Sequence, residues 1–438
     1  MTFLLTLLLA QAPQQTPQDV EAHARAIVGM LVAGEYTKIE SQYADQMARA
    51  LAPGALGASW ANTARQLGAF ESITSVQVSQ TGSNHIAIAA CAFKNYTVTF
   101  RIIFNDAGQL AGLTAGNPTL RVTWSPPAYS DPSSFAERPV TVKTARFELP
   151  GMVTIPTSAG RHPAIVLVHG SGPNDMDETG GANKMFKDLA YGLASRGVAV
   201  LRYDKRTRKY GAQSSDDPAQ LTVKDEVIDD ALSAVALLAS MPEIDPRRVF
   251  VAGHSEGAYL APRIATGQPQ IAGIILLAGN ARPIEDLVVE QVRYEASMAG
   301  PITPAIQRAI DSAEESARAF RDPDLKPGMT VRLLGAPLPA SYVLDLRTYH
   351  PTDVAAALKM PILVMQGERD YQVTMTDFEL WQKALARHAN ATSKSYSGLN
   401  HYFIMGTGPG SPSEYMQPGH VDTRVIDDIA AFCLAPRS

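Results

Sequence analysis

The segment Val249–Ala261, VFVAGHSEGAYLA, leaves its backbone few paths. A β-branched and aromatic run, Val249-Phe250-Val251, stops at Gly253, and helix-compatible residues follow Ser255 at once. A strand that becomes a helix in so short a turn forces the residue at its apex into a strained conformation. Gly253 and Gly257 remove the clashes that side chains on either flank would cause. Gly-x-Ser-x-Gly in this setting is the nucleophile-elbow pattern, with Ser255 as candidate nucleophile. Such a serine stands beyond the carboxyl end of a strand, where open parallel sheets place their ligands.

The surrounding sequence supplies that sheet. Ala164-Ile165-Val166-Leu167-Val168 is a continuous apolar run, as expected of a parallel strand buried on both faces. Gly197–Tyr203, Val249–Gly253, Ile271–Leu277 and Pro361–Gln366 read the same way, with a helix expected near Lys184–Ser195. Thr222 and Asp225 form a capping-box-like start. Val227, Ile228, Ala231, Leu232, Val235 and Leu238 follow as one helical stripe. Strands alternating with helices imply right-handed crossovers and a doubly wound, mostly parallel sheet. The interval 281–350 is too long for a plain crossover. Pro283–Ala299 and Thr303–Arg321 read as amphipathic helices within it, so it is expected to form a helical cap.

Other features bound the class. The chain has 438 residues, enough for two or three domains. Residues 1–12, with the apolar run Phe3–Ala10 and small residues Ala10 and Ala12, read as a signal peptide, which implies export to a periplasmic or extracellular space. Gln11–Gln18 is polar and Pro-containing. Residues 19–118 read as a small α+β domain. Ala22, Ala26, Ile27, Met30 and Leu31 recur at helical spacing, His85–Phe93 and Thr97–Phe104 read as strands, and Asn105–Gly108 as a turn. Residues 119–139, with a Pro- and Ser-rich stretch from Ser125 to Ser134, read as a linker to a catalytic domain at 140–438. A net charge of −5 gives no nucleic-acid footprint. The densest basic run, Lys205–Lys209, reads as a solvated loop. No stretch is long enough for stable membrane insertion. Cys91 and Cys433, the 2 cysteines, read as small buried hydrophobes without metal-type spacing.

A serine hydroxyl needs a base beside it. The chain order for this architecture is Ser, acid, His. Of His350, His388, His401 and His420, His401 is placed best, in the Gly398-Leu399-Asn400 turn after a short strand-like segment, Lys394-Ser395-Tyr396. His388 falls in a helix and His420 in a Pro/Gly-rich segment, which makes His420 the main rival. Asp370, in the loop after Pro361–Gln366, is the expected acid. Glu368 is the alternative, or else a loop ion-pair partner of Arg369. Charge on the carbonyl oxygen requires paired N–H donors. The backbone N–H of Glu256 is one. The loop His169-Gly170-Ser171-Gly172-Pro173 supplies the other, at Ser171, with Gly172 as runner-up. His169 is expected to bond locally. Asp175 and Asp177 are expected to order their loop rather than bind metal. No cofactor and no metal is required.

The segments VLVHGSGPNDMDE, FKDLAYGLASRGVAVLRYDKRT, VAGHSEGAYLAPRIA and ILVMQGERDYQV resemble the α/β-hydrolase superfamily, and within it the bacterial EstD-like esterases. The resemblance spans about residues 140 to 435. It implies a carboxylic ester hydrolase for short- to medium-chain acyl groups, with an N-terminal accessory domain of unknown function. Ala258 stands where that family often carries a third glycine, and Thr207 where a glycine is common after Lys-Arg. The expected substrate is a small-molecule ester, and Val288, Val289, Val292, Ile306 and Ile310 of the cap are candidates to line the acyl site. A serine exopeptidase or amidase using the same triad is the alternative, and a non-catalytic binding protein a third reading. Homo-oligomerisation is left open.

Overall fold

A computed structural model describes residues 16–436, apart from 122–123 and 334–335. The expected signal peptide lies outside these residues. The chain forms two compact units that divide between Thr123 and Trp124.

In the first unit, helix Pro17–Ala33 starts at a capping box made by Thr16 and Asp19 and ends at Gly34 in the left-handed conformation. It buries Val20, Ala24, Ile27, Val28 and Leu31, while Ala22 and Ala26 are exposed. The expected helix is there, but its buried face is rotated from the expected stripe. Val20 and Val28, as larger apolar groups, gain more from burial than alanine. Strands Phe70–Thr81, Asn84–Phe93, Tyr96–Asn105 and Leu110–Ala115 form an antiparallel meander. Val98, Phe100, Ile102 and Phe104 are all buried, as their alternation requires. Asn105 closes the next turn by accepting from the N–H groups of Ala107 and Gln109 at 3.1 and 2.9 Å.

The second unit is built on an eight-stranded sheet. Its strands are β1 (Phe135–Thr144), β2 (Phe147–Pro156), β3 (His162–Val168), β4 (Ala199–Tyr203), β5 (Ile244–His254), β6 (Ile271–Leu277), β7 (Ile362–Gly367) and β8 (Ala391–Tyr396). Their spatial order is β8-β7-β6-β5-β3-β4-β2-β1. β3 to β8 pair in parallel, and the β1–β2 hairpin joins β4 antiparallel. The central strands are buried on both faces. Ala164, Val166 and Val168 of β3 enter one core and Ile165 and Leu167 the other. This explains the unbroken apolar run in the sequence. Helices α1 (Met185–Ala194) and α9 (Thr423–Leu434) cover the second core. Helices α2 (Asp229–Ala239), α3 (Glu256–Ala265) and α8 (Met375–Leu385) cover the first.

Three expectations change. Residues 119–139 carry structure at both ends: Thr119–Leu120 pairs with Tyr96–Thr97, and Phe135–Pro139 begins β1. The interval 281–350 contains helices α4 (Ile284–Met298), α5 (Pro304–Arg321) and α6 (Ala340–Arg347), but also an antiparallel pair, Thr330–Leu333 with Ala336–Pro339. α7 (Pro351–Ala357) then leads to β7. Finally, Lys205 and Arg206 are not solvated: both are buried, because buried carboxylates await them. No helix among the described residues is long and apolar enough to cross a membrane.

Candidate active site

Ser255 stands between β5 and α3 with φ 53° and ψ −116°, in the left-handed half of backbone space that a serine seldom occupies. The neighbouring strand holds it there: its N–H donates to the Leu277 carbonyl at 2.9 Å. A Cβ on Gly253 would overlap the Gly257 carbonyl, and one on Gly257 would overlap the Val168 carbonyl. Both glycines are therefore required by contact. Ala258 packs against Gly279, which supplies the room that an added methyl needs.

The residues expected as acid and base, Asp370 and His401, lie together. Asp370 follows β7, and its Oδ2 lies 2.6 Å from His401 Nδ1. Both side chains are buried. Asp370 Oδ1 accepts from the backbone N–H groups of Gln372 and Val373 at 2.8 and 3.0 Å, and Gln366 Nε2 donates to Oδ2 at 3.0 Å. Gly367 lets the two loops close, since a Cβ there would strike the Asn400 and Leu399 carbonyls. His254, the residue before Ser255, ties the base loop to the elbow: its Nε2 donates to the His401 carbonyl at 3.0 Å, and the two rings are 4.5 Å apart.

The alternatives lie elsewhere. His420 pairs with Asp188 at 3.0 Å, and His388 bonds the Leu358 carbonyl at 2.9 Å. His350 precedes α7 as its N-cap. Glu368 is exposed and accepts from Ser395. Arg369 pairs with Glu414 and not with Glu368, the ion pair the sequence suggested.

The loop after β3 lies against the elbow, and a Cβ on Gly170 would sit 3.2 Å from that of Ser255. The loop is fixed on three sides. Asn174 Nδ2 donates to the Gly170 and Ser171 carbonyls at 3.0 and 3.1 Å, Lys205 Nζ donates to the Gly170 carbonyl at 3.1 Å, and Glu178 Oε1 accepts the Gly170 N–H at 2.7 Å. Gly172 has φ 92°. Asp175 orders the following turn through the N–H groups of Asp177 and Thr179, and Asp177 pairs with Lys184 and Arg202. His169 is buried between the rings of Phe186 and Tyr203, and burial pushes its imidazole down to about 4.

A group of side chains around Glu256 escaped sequence reasoning. The Glu256 side chain is buried and accepts from Lys205 Nζ at 3.0 Å and Tyr342 OH at 2.9 Å. Glu226 lies 3.5 Å from the same ammonium and accepts from Thr207 Oγ1 at 2.9 Å. Burial works against charge on Lys205, but these two carboxylates outweigh it and raise the ammonium above its ordinary value. Ser171, Gly172 and Glu256 border a cavity of about 670 Å³. Its walls include Ile284, Phe320, Leu338 and Leu346, with Thr207, Glu226 and Tyr342 on its polar side. None of the five cap residues named as acyl-site candidates borders this cavity; Val288 is buried and the other four are half-buried.

Residues 165–410 match the model of the alpha/beta hydrolase family, and residues 24–113 match "Protein of unknown function (DUF3887)".

The chain belongs to the alpha/beta hydrolase family.

Within that family it is 38% identical over 412 residues to esterase EstD of Thermotoga maritima, covering 94% of this chain and 95% of the relative. It is 26% identical over 274 residues to the quorum-quenching protein AidA of Acinetobacter baumannii, covering 56% and 80% of the two chains. Among solved structures, Est1E from Butyrivibrio proteoclasticus aligns with a TM-score of 0.45 and 16% identity, over 68% of this chain and 99% of that one. The strand order and the elbow between β5 and α3 are those of an alpha/beta hydrolase, preceded here by a separate small unit.

Proposed function

We propose that this alpha/beta hydrolase is a serine carboxylesterase for small esters with short- to medium-chain acyl groups. The observation that carries the reading is the 2.6 Å contact between buried Asp370 and His401, whose carbonyl is bonded by His254 next to the strained Ser255. In this reading Ser255 Oγ attacks the ester carbonyl while His401 Nε2 takes its proton. Asp370 holds the Nδ1–H tautomer and stabilises the imidazolium. The N–H groups of Glu256 and Ser171 receive the developing oxyanion. His401 returns the proton to the leaving alcohol, and water then hydrolyses the acyl-enzyme by the same steps in reverse roles. The similarity to an esterase over nearly the whole chain supports an ester as substrate. A largely apolar cavity of about 670 Å³ beside the elbow supports an acyl chain rather than a polymer.

The test is hydrolysis of p-nitrophenyl acetate, butyrate and decanoate by wild type and by Ser255→Ala. Wild type should turn over the shorter esters, and the folded variant should lose about 10³-fold or more in kcat. Full activity in Ser255→Ala would overturn the mechanism, and no turnover of any ester by wild type would overturn the substrate class.

A further inference from the structure

Two buried ionisable groups behind Ser255 take no part in that mechanism. His254 Nδ1 lies 3.1 Å from Glu178 Oε1, and the two side chains are 2% and 3% exposed. The other ring nitrogen, Nε2, is 3.0 Å from the His401 carbonyl oxygen. A carbonyl only accepts, so Nε2 carries a hydrogen. A neutral ring would then leave a bare Nδ1 only 3.1 Å from a carboxylate oxygen, two electron-rich atoms in contact. Protonating Nδ1 turns this repulsion into attraction. His254 Nδ1 has no aligned hydrogen-bond partner among the described residues, so charge rather than a hydrogen bond holds the contact.

Glu178 needs that charge. Its Oε1 accepts the Gly170 N–H at 2.7 Å, while Oε2 is buried with no hydrogen-bond partner among the described residues. A buried carboxylate so sparsely bonded is costly unless a cation faces it. The backbone is also held at some cost: Glu178 has φ 48°, and its N–H donates to the Asp175 carbonyl at 2.9 Å. Strain of this kind persists where the fold fixes a group for use.

We propose that His254 is kept as an imidazolium by Glu178, and that this ion pair positions the oxyanion loop through Gly170 and the base loop through the carbonyl of His401. The proposal rests on the Ser255 reading for its effect on rate, but not for the ion pair itself. His254 and Glu178 are positioning residues. The groups around the pair are His401 and Asp370 from the base and acid loops, His169 from the end of β3, and the ring of Tyr402 at 5.5 Å from that of His254. Burial alone would strip the proton from His254, yet Glu178 reverses the direction and raises it. Burial likewise opposes the Glu178 carboxylate, and His254 with His169 and the Gly170 N–H brings it below its ordinary range.

The test uses the full-length protein with ¹⁵N-labelled histidine. Long-range ¹H–¹⁵N spectra report the protonation of each ring, and His254→Gln assigns the His254 signals. Both ring nitrogens of His254 should stay protonated at pH 7. In Glu178→Gln, which keeps an acceptor for Gly170 but removes the charge, the ring should become neutral at that pH. The kcat for p-nitrophenyl butyrate should fall about 10-fold or more with KM within about 2-fold, and the alkaline limb of kcat should move to lower pH. A neutral His254 in wild type at pH 7 overturns the proposal without any variant. Wild-type kcat and an unmoved alkaline limb in folded Glu178→Gln overturn its positioning role. Undiminished activity in Ser255→Ala would instead overturn the esterase mechanism, with the protonation of His254 still read directly from the spectra.

Discussion

Asparagine at position 370 preserves shape but puts a donor where Oδ2 accepts from both Gln366 and His401. In the wild type all four groups around the carboxylate are donors: the N–H groups of Gln372 and Val373 on Oδ1, and Gln366 Nε2 and His401 Nδ1 on Oδ2. Asparagine offers one oxygen and one NH₂. The two backbone donors, at 2.8 and 3.0 Å, retain the oxygen, so the NH₂ faces His401. It can only donate, which forces the imidazole hydrogen onto Nε2. That nitrogen then has no lone pair for the Ser255 proton. The same inversion at a buried triad aspartate elsewhere lowers kcat by about 10⁴-fold. This is about 5 kcal/mol of transition-state stabilisation at roughly 1.36 kcal/mol per decade. The assay is p-nitrophenyl butyrate hydrolysis at pH 8, with circular dichroism and thermal unfolding to confirm the fold. Glu368→Gln is the control and should stay near wild type, because Glu368 is exposed and bonds Ser395. Folded Asp370→Asn within about tenfold of wild-type kcat would refute the claim that Asp370 sets the His401 tautomer.

Three further outcomes follow from contacts described above. Gly257→Ala drives a methyl into the Val168 carbonyl, so urea unfolding should report a loss of about 1–3 kcal/mol or more, with activity falling in parallel. Asp230→Ala strands the guanidinium of Arg206, whose side chain is 5% exposed, and should cost about 3–5 kcal/mol in the same assay. His169 is held neutral down to about 4, whereas the unfolded chain takes up that proton near pH 6.5. Its contribution is therefore intact above about pH 6.5 and shrinks as pH falls toward about 4, by up to about 3 kcal/mol. Urea unfolding at pH 7 and pH 4.5 should show a shallower acid loss in His169→Gln, and identical losses would contradict the assignment.

The parts legible from sequence are those where one physical demand dominates. β3, β6, β7 and β5 from Phe250 onward are buried on both faces, so their apolar runs are unbroken. The elbow was legible because the clash geometry admits only glycine at 253 and 257. Asp370 and His401 were legible because each follows a strand that ends beside it. The β1–β2 hairpin was missed: β1 is largely exposed and carries Pro139, which blurs its alternation. Lys205 and Arg206 were misread because a charge run looks the same whether its partners are water or distant carboxylates. Glu256, Asp230 and Glu226 declare themselves only after folding. The cavity walls were missed for a related reason. Helical spacing marks which residues turn inward from α4 and α5, not which of them face a void. His254 and Glu178 lie within motifs that were read, yet nothing in spacing or composition marks two residues 76 positions apart as one ion pair.

Covalent labelling tests the nucleophile most directly. A fluorophosphonate ester should modify wild type at one site per chain, lose fluoride, and leave the adduct on the peptide that contains Ser255, as read by mass spectrometry after proteolysis. The adduct should be absent from Ser255→Ala and form far more slowly in Asp370→Asn. A stoichiometric adduct on another residue, or no adduct on an active wild type, would contradict the assignment of Ser255.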